Sequence, residues 1–180
     1  MPFKISEYNA ISNFIRENSQ KKVKIIAVSK NHPKESVEEA IKCGVMTFGE
    51  NKVQEASHKF HEFKKIHKNL ELHLTGPLQR NKVKDALKFF DVFQTLDRES
   101  LAKEFVKHSE QLYKKQFFVQ INTGKETSKS GVYPGQAKDF INYCKLDLKI
   151  HIVGLMCIPP INDLAIDHFN TLKKIAYNNK

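Results

Sequence analysis

The chain has 180 residues and 40% hydrophobic content, enough for one domain with a core of its own. Its formal net charge of +10 raises nucleic acid as a partner, but the arginines are Arg16, Arg80 and Arg98 alone and the remaining basic residues are lysines spread over every polar face. That pattern reads as a solvated basic surface, with no specific nucleic-acid partner expected. Cys43, Cys144 and Cys157 stand far apart with no CxxC pair, which argues against a disulfide framework or a zinc knuckle and fits a reducing, cytoplasmic compartment.

The opening stretch MPFKISEYNAISNFIRENSQKK mixes polar and apolar residues at helical spacing and lacks the apolar run of a signal peptide. No segment approaches membrane-span length, so no membrane partner is expected. Strand-length apolar runs then follow at Lys24 to Val28, Val45 to Phe48, Leu70 to Leu74, Val92 to Leu96, Phe117 to Ile121 and Ile150 to Met156. After the first, Pro33 opens a helix with Val37, Ala40 and Ile41 at i, i+3, i+4 spacing, and Gly44 stops it. After the second, Val53, Ala56, Phe60 and Phe63 share one helical face, which predicts that the helix's charged residues point outward. Asp97 or Ser100 is the expected cap of the helix after the fourth strand, and KETSKSGV reads as the loop after the fifth. Aromatics such as Phe89, Phe90, Phe117 and Phe118 lie in apolar runs and read as core. Six strand-helix units in series predict a parallel α/β sheet covered by helices.

In such folds reactive groups gather at the carboxyl ends of the strands. Ser29 with Lys30, Gly49 to Asn51, His73 with Thr75 and Gly76, and Asn122 to Gly124 all fall there. Lys30 rises from the apolar stretch IIAVSK, where partial desolvation is expected to lower its pKa and expose a nucleophilic amine toward aldehydes. A lysine snorkelling from the sheet edge is the competing reading. Asn51 offers both a donor and an acceptor, and Gly49 permits close backbone approach. His73, flanked by leucines, reads from its surroundings as a satisfied core histidine. His61 and Glu62 begin like a zinc-protease motif, but the next histidine is His67, so the spacing fails and no metal is expected.

Five blocks, AVSK at Ala27 to Lys30, FGENKVQEA at Phe48 to Ala56, LHLTGPLQRNK at Leu72 to Lys82, VQINTGKETSKSGV at Val119 to Val132 and GLMCIPP at Gly154 to Pro160, occur in one order along nearly the whole chain. Together they resemble the pyridoxal phosphate homeostasis proteins, single-domain relatives of the alanine racemase barrel. The resemblance implies a TIM-type (β/α)8 barrel, here incomplete, with residues 1–180 forming one domain that stops before the last two strand-helix units. It implies pyridoxal 5'-phosphate carried as an aldimine on Lys30, with Asn51 beside the ring and His73 in the same pocket. It implies an intracellular role in cofactor homeostasis without catalysis.

The family's serine-methionine-glycine-methionine-serine and arginine-isoleucine-glycine-threonine stretches, which hold the phosphate and face the pyridine nitrogen, have no counterpart in this sequence. Weak binding with poor discrimination against unphosphorylated pyridoxal is therefore expected, together with self-association through open sheet edges. A fragment of a cofactor-dependent racemase or decarboxylase and a basic nucleic-acid-binding module are the alternative readings.

Overall fold

After a leading helix, α1 (Ile5–Asn18), the chain repeats one unit: a short strand followed by a helix. The strands are β1 (Ala27–Val28), β2 (Thr47–Glu50), β3 (Glu71–Leu74), β4 (Val92–Leu96), β5 (Gln116–Gln120) and β6 (Ile152–Met156). The helices that follow them are α2 (Lys34–Lys42), α3 (Val53–Ile66), α4 (Val83–Phe89), α5 (Glu99–Val106), α6 (Ala137–Asn142) and α7 (Ala165–Tyr177). This computed structural model describes residues 2–179; Met1 and Lys180, the ends of the expected domain, lie outside the described residues.

All six strands form one sheet in chain order, and every neighbouring pair is parallel. Right-handed crossovers in sequential order put the helices on one face. The result is an open segment of a (β/α)8-type barrel, with β1 and β6 at its two edges and the sheet unclosed. No helix among the described residues is long and apolar enough to cross a membrane.

Strand alternation sorts the side chains. Phe48, Leu72, Leu74, Phe93, Phe117 and Val119 are buried beneath the helices, where they meet Val37, Ala56, Phe60, Leu101 and Phe105. At the centre Phe93 and Phe117 stack with centroids 5.2 Å apart, and Phe105 of α5 stands edge-on 4.9 Å from each. Phe90 and Phe117 are fully buried as expected, whereas Phe89 and Phe118 are half-buried. The helix-free face carries Gly49, His73, Gln94 and Phe118. A Cβ on Gly49 would lie 3.2 Å from Ile26 and from Val28, and one on Gly154 would lie 2.7 Å from the Phe118 ring.

The helix signals hold with three corrections. Pro33 precedes α2, and Gly44 ends it at φ +86°. The first strand, expected over Lys24 to Val28, pairs only at Ala27 and Val28, because an edge strand has a neighbour on one side and its ladder ends where β2 diverges. Neither Asp97 nor Ser100 caps α5: Arg98 is the cap position, with no side-chain cap bond. Asp97 instead accepts a 2.6 Å hydrogen bond from the Arg98 guanidinium, which also donates to the Leu78 carbonyl at 2.8 Å.

The third correction concerns α3. Val53, Ala56, Phe60 and Phe63 face the core as expected, but Lys59 lies on the same stripe and is buried with them. The segment KETSKSGV is the expected loop. Asn122 folds it by donating to the carbonyls of Glu126 and Lys129 and accepting from the Glu126 amide. Gly131 closes it at φ +122°, where a Cβ would sit 2.7 Å from the Asn122 amide nitrogen.

Candidate functional site

The parallel register aligns the carboxyl ends of the first three strands. Val28 pairs with Gly49, Gly49 with His73, and Glu50 with Leu74. Continuing the β2–β3 register by one residue sets Asn51 level with Thr75, while Lys30 stands in the turn after β1, where the His32 amide donates to the Ser29 carbonyl at 3.0 Å. A side-chain bond fastens this layer, since Thr75 Oγ1 donates to Asn51 Oδ1 at 3.0 Å. Gly76 follows without a side chain because a Cβ there would lie 2.6 Å from the Asn51 backbone. The Asn51 amide nitrogen makes no hydrogen bond to another described residue and is available as a donor.

Lys30 is exposed, which corrects the expectation of a partly desolvated amine. The reason is topological: β1 is an edge strand paired with β2 alone, and its Val28 is 47% exposed. Lys30 has no ion pair with any described residue, so its amine is free to meet a ligand. The turn carrying it is fixed from behind. Ser29 is buried, its amide donates to the Gly49 carbonyl at 2.9 Å and its hydroxyl to Glu50 Oε1 at 2.7 Å.

His73 lies one layer below, level with Gly49, and is buried. Both ring nitrogens are engaged: Nε2 is 2.6 Å from Glu71 Oε1 and Nδ1 is 2.8 Å from Gln94 Nε2. Burial lowers the His73 pKa, against the opposing pull of Glu71. A neutral ring that donates from Nε2 to Glu71 and accepts at Nδ1 from Gln94 satisfies every partner. Burial alone would raise the Glu71 carboxyl, but hydrogen bonds from Lys24 and His73 outweigh it and hold the group below the usual range. The register therefore brings Asn51 into one layer with Thr75, with His73 beneath as a satisfied histidine and Lys30 in the turn at the end of the neighbouring strand. In the sequence Thr75 is marked only as a strand-end residue, and its spacing of two from His73 is the signal that puts it on the same face.

Beside Asn51 a cleft of about 600 Å³ is lined by Lys52, Gln54, Lys82 and Arg98 among others, so the ends of β2 to β4 face solvent with a cationic wall. No group of three or more histidine, cysteine or carboxylate side chains with the geometry of a metal site occurs among the described residues.

Residues 8–176 match the alanine racemase N-terminal domain family. A pyridoxal phosphate homeostasis protein of Pasteurella multocida is 40% identical over 146 residues, which cover 79% of this chain and 62% of that protein. One from Buchnera aphidicola subsp. Schizaphis graminum is 35% identical over 180 residues, 91% of this chain and 77% of the relative. The structure of PipY from Synechococcus elongatus with pyridoxal phosphate bound superposes with a TM-score of 0.81 at 30% identity, covering 98% of this chain and 82% of PipY. An alanine racemase of Clostridium difficile shares the fold alone, with a TM-score of 0.69 at 17% identity. With six parallel strand-helix units in order and matches of this extent, the chain belongs to the pyridoxal phosphate homeostasis protein family, built on the alanine racemase N-terminal fold.

Proposed function

We propose that this chain binds pyridoxal 5'-phosphate through Lys30 and serves cofactor homeostasis as a carrier rather than as an enzyme. The observation that carries this reading is that adjacent strands end on an exposed Lys30 without an ion pair to any described residue, in the turn after β1, and on Asn51, directly after β2. When bound, the cofactor supplies an aldehyde that condenses with a primary amine, releasing water, and a phosphate that favours cationic surroundings. Lys30 provides the amine. Asn51 has an unused amide N–H to orient a ring oxygen, and Thr75 fixes the Asn51 rotamer. Gly49 lets the Ile26 and Val28 side chains close over the sheet on the helix-free face, and the Lys52, Lys82 and Arg98 wall attracts an anion. His73 has both ring nitrogens engaged and none to spare for proton transfer.

The test is covalent mapping. The full chain is mixed with pyridoxal 5'-phosphate, trapped with borohydride and digested for peptide mass analysis. Label concentrated on Lys30, lost in Lys30→Ala, and no racemisation of amino acids are the expected results. Label spread evenly over the surface lysines would overturn the assignment of Lys30, and turnover of an amino acid would overturn the carrier role.

A further inference from the structure

We infer that Lys59 is a positioning residue for Lys30: with the buried Glu50 and the half-buried Glu55 it forms a clamp that fixes the backbone on both sides of that residue. This rests on the reading of Lys30 as the cofactor-binding lysine. Lys59 is 5% exposed on the apolar stripe of α3, between Ala56 and Phe63, where a methionine or leucine would fill the space without a charge. Its ammonium has three N–H donors and three acceptors: the Ser29 carbonyl at 2.7 Å, Glu50 Oε1 at 2.7 Å and Glu55 Oε1 at 3.0 Å. The first of these is the carbonyl of the residue immediately before Lys30.

The other side of Lys30 is tied to the same group of charges. Glu55 Oε1 accepts the Asn31 amide at 2.6 Å, and Asn31 is held at φ +62°, the left-handed region that Asn tolerates best after glycine. Ser29 Oγ donates to the same Glu50 oxygen that Lys59 contacts. Residues 29 and 31 are thus each bound to the Lys59 cluster, and Lys30 is carried between them. A buried ion pair is a costly way to anchor a helix, because desolvation offsets most of the attraction. Here the arrangement is costlier still, since Glu50 is fully buried and its Oε2 has no hydrogen-bond partner among the described residues. Helix α3 already packs through Val53, Ala56, Phe60 and Phe63. What the charges add is a set of directional bonds aimed at one turn.

A structural anchor and a positioning clamp separate experimentally. In the double variant Lys59→Met, Glu50→Leu, apolar groups of similar volume replace the buried pair, a change that commonly preserves stability. Glu55→Ala leaves the Lys59 bonds to Glu50 and to the Ser29 carbonyl in place and removes the carboxylate that accepts both the Asn31 amide and the third Lys59 N–H. Borohydride trapping with pyridoxal 5'-phosphate is followed by mass mapping in the full chain and in both variants, with thermal unfolding measured alongside. We expect cooperative unfolding to persist while labelling of Lys30 relative to the other lysines falls about tenfold in the double variant and by a smaller factor in Glu55→Ala.

Undiminished preference for Lys30 in a folded double variant would overturn the inference. If the double variant does not fold, Glu55→Ala decides in the same way. If wild type itself shows no preference for Lys30, the functional reading fails. The clamp is then judged by hydrogen exchange at the Asn31 amide, where faster exchange in Glu55→Ala supports it and unchanged exchange overturns it.

Discussion

His73 carries a pH dependence that can be worked out from its surroundings. Burial keeps its folded pKa below the ordinary value of 6.5, so at mildly acidic pH the unfolded chain takes up a proton that the folded chain refuses. Stability contributed by the neutral ring is therefore full above about pH 6.5 and falls as the pH drops below that value. Glu71, held below its ordinary pKa, adds a second loss that sets in below about pH 4.5 as its carboxyl is protonated. We expect the urea midpoint to decline between about pH 7 and pH 5.5, and His73→Gln to flatten that decline relative to wild type. An identical slope in the variant would assign the effect to the other histidines.

Among the elements, α5 is tied to two strands of the sheet through one side chain. Phe105 is 1% exposed and meets Phe93 and Phe117 edge-on, bridging the helix to β4 and β5 at once. Phe105→Ala is expected to cost about 3 to 5 kcal/mol, measured by denaturant unfolding, because the two strand rings cannot move inward to fill the space. Near-neutral behaviour would mean that α5 can collapse onto the sheet. The loop after β5 depends on polar bonds instead: Asn122 holds both of its limbs.

For the whole molecule the open sheet is the governing feature. Val28 at one edge and Val153 at the other remain 47% and 39% exposed, and Phe14 of α1 and Phe169 of α7 are 66% and 50% exposed. Unpaired parallel edges flanked by apolar side chains favour pairing with another chain. We expect light scattering to report a mass that grows with concentration. A monodisperse monomer at every concentration would mean that the edges are protected despite their exposure. The net charge of +10 opposes association at low ionic strength, so the growth should strengthen as salt is added.

How much of this was legible in the sequence follows from the range of each interaction. Six units, their order and the buried faces of α2 and α3 could be read because they rest on local periodicity, and strand-end positions such as Lys30, Asn51 and Thr75 follow once the strands are placed. The inward turn of Lys59 had a local trace, since it lies three residues from Ala56 and four from both Glu55 and Phe63. Its partners did not, because Ser29 is 30 residues away and the Glu50 carboxylate must be turned toward α3 for the bond to form. The pairing of His73 with Gln94 spans 21 residues and depends on the β3 to β4 register. The shortness of β1 and the exposure of Lys30 depend on which strands have neighbours, a property of the assembled sheet. Local patterning thus determined the elements and the lysine's place at a strand end. Tertiary structure alone decided how that lysine is held and how far it stands in water, because burial and pairing belong to residues distant in the chain.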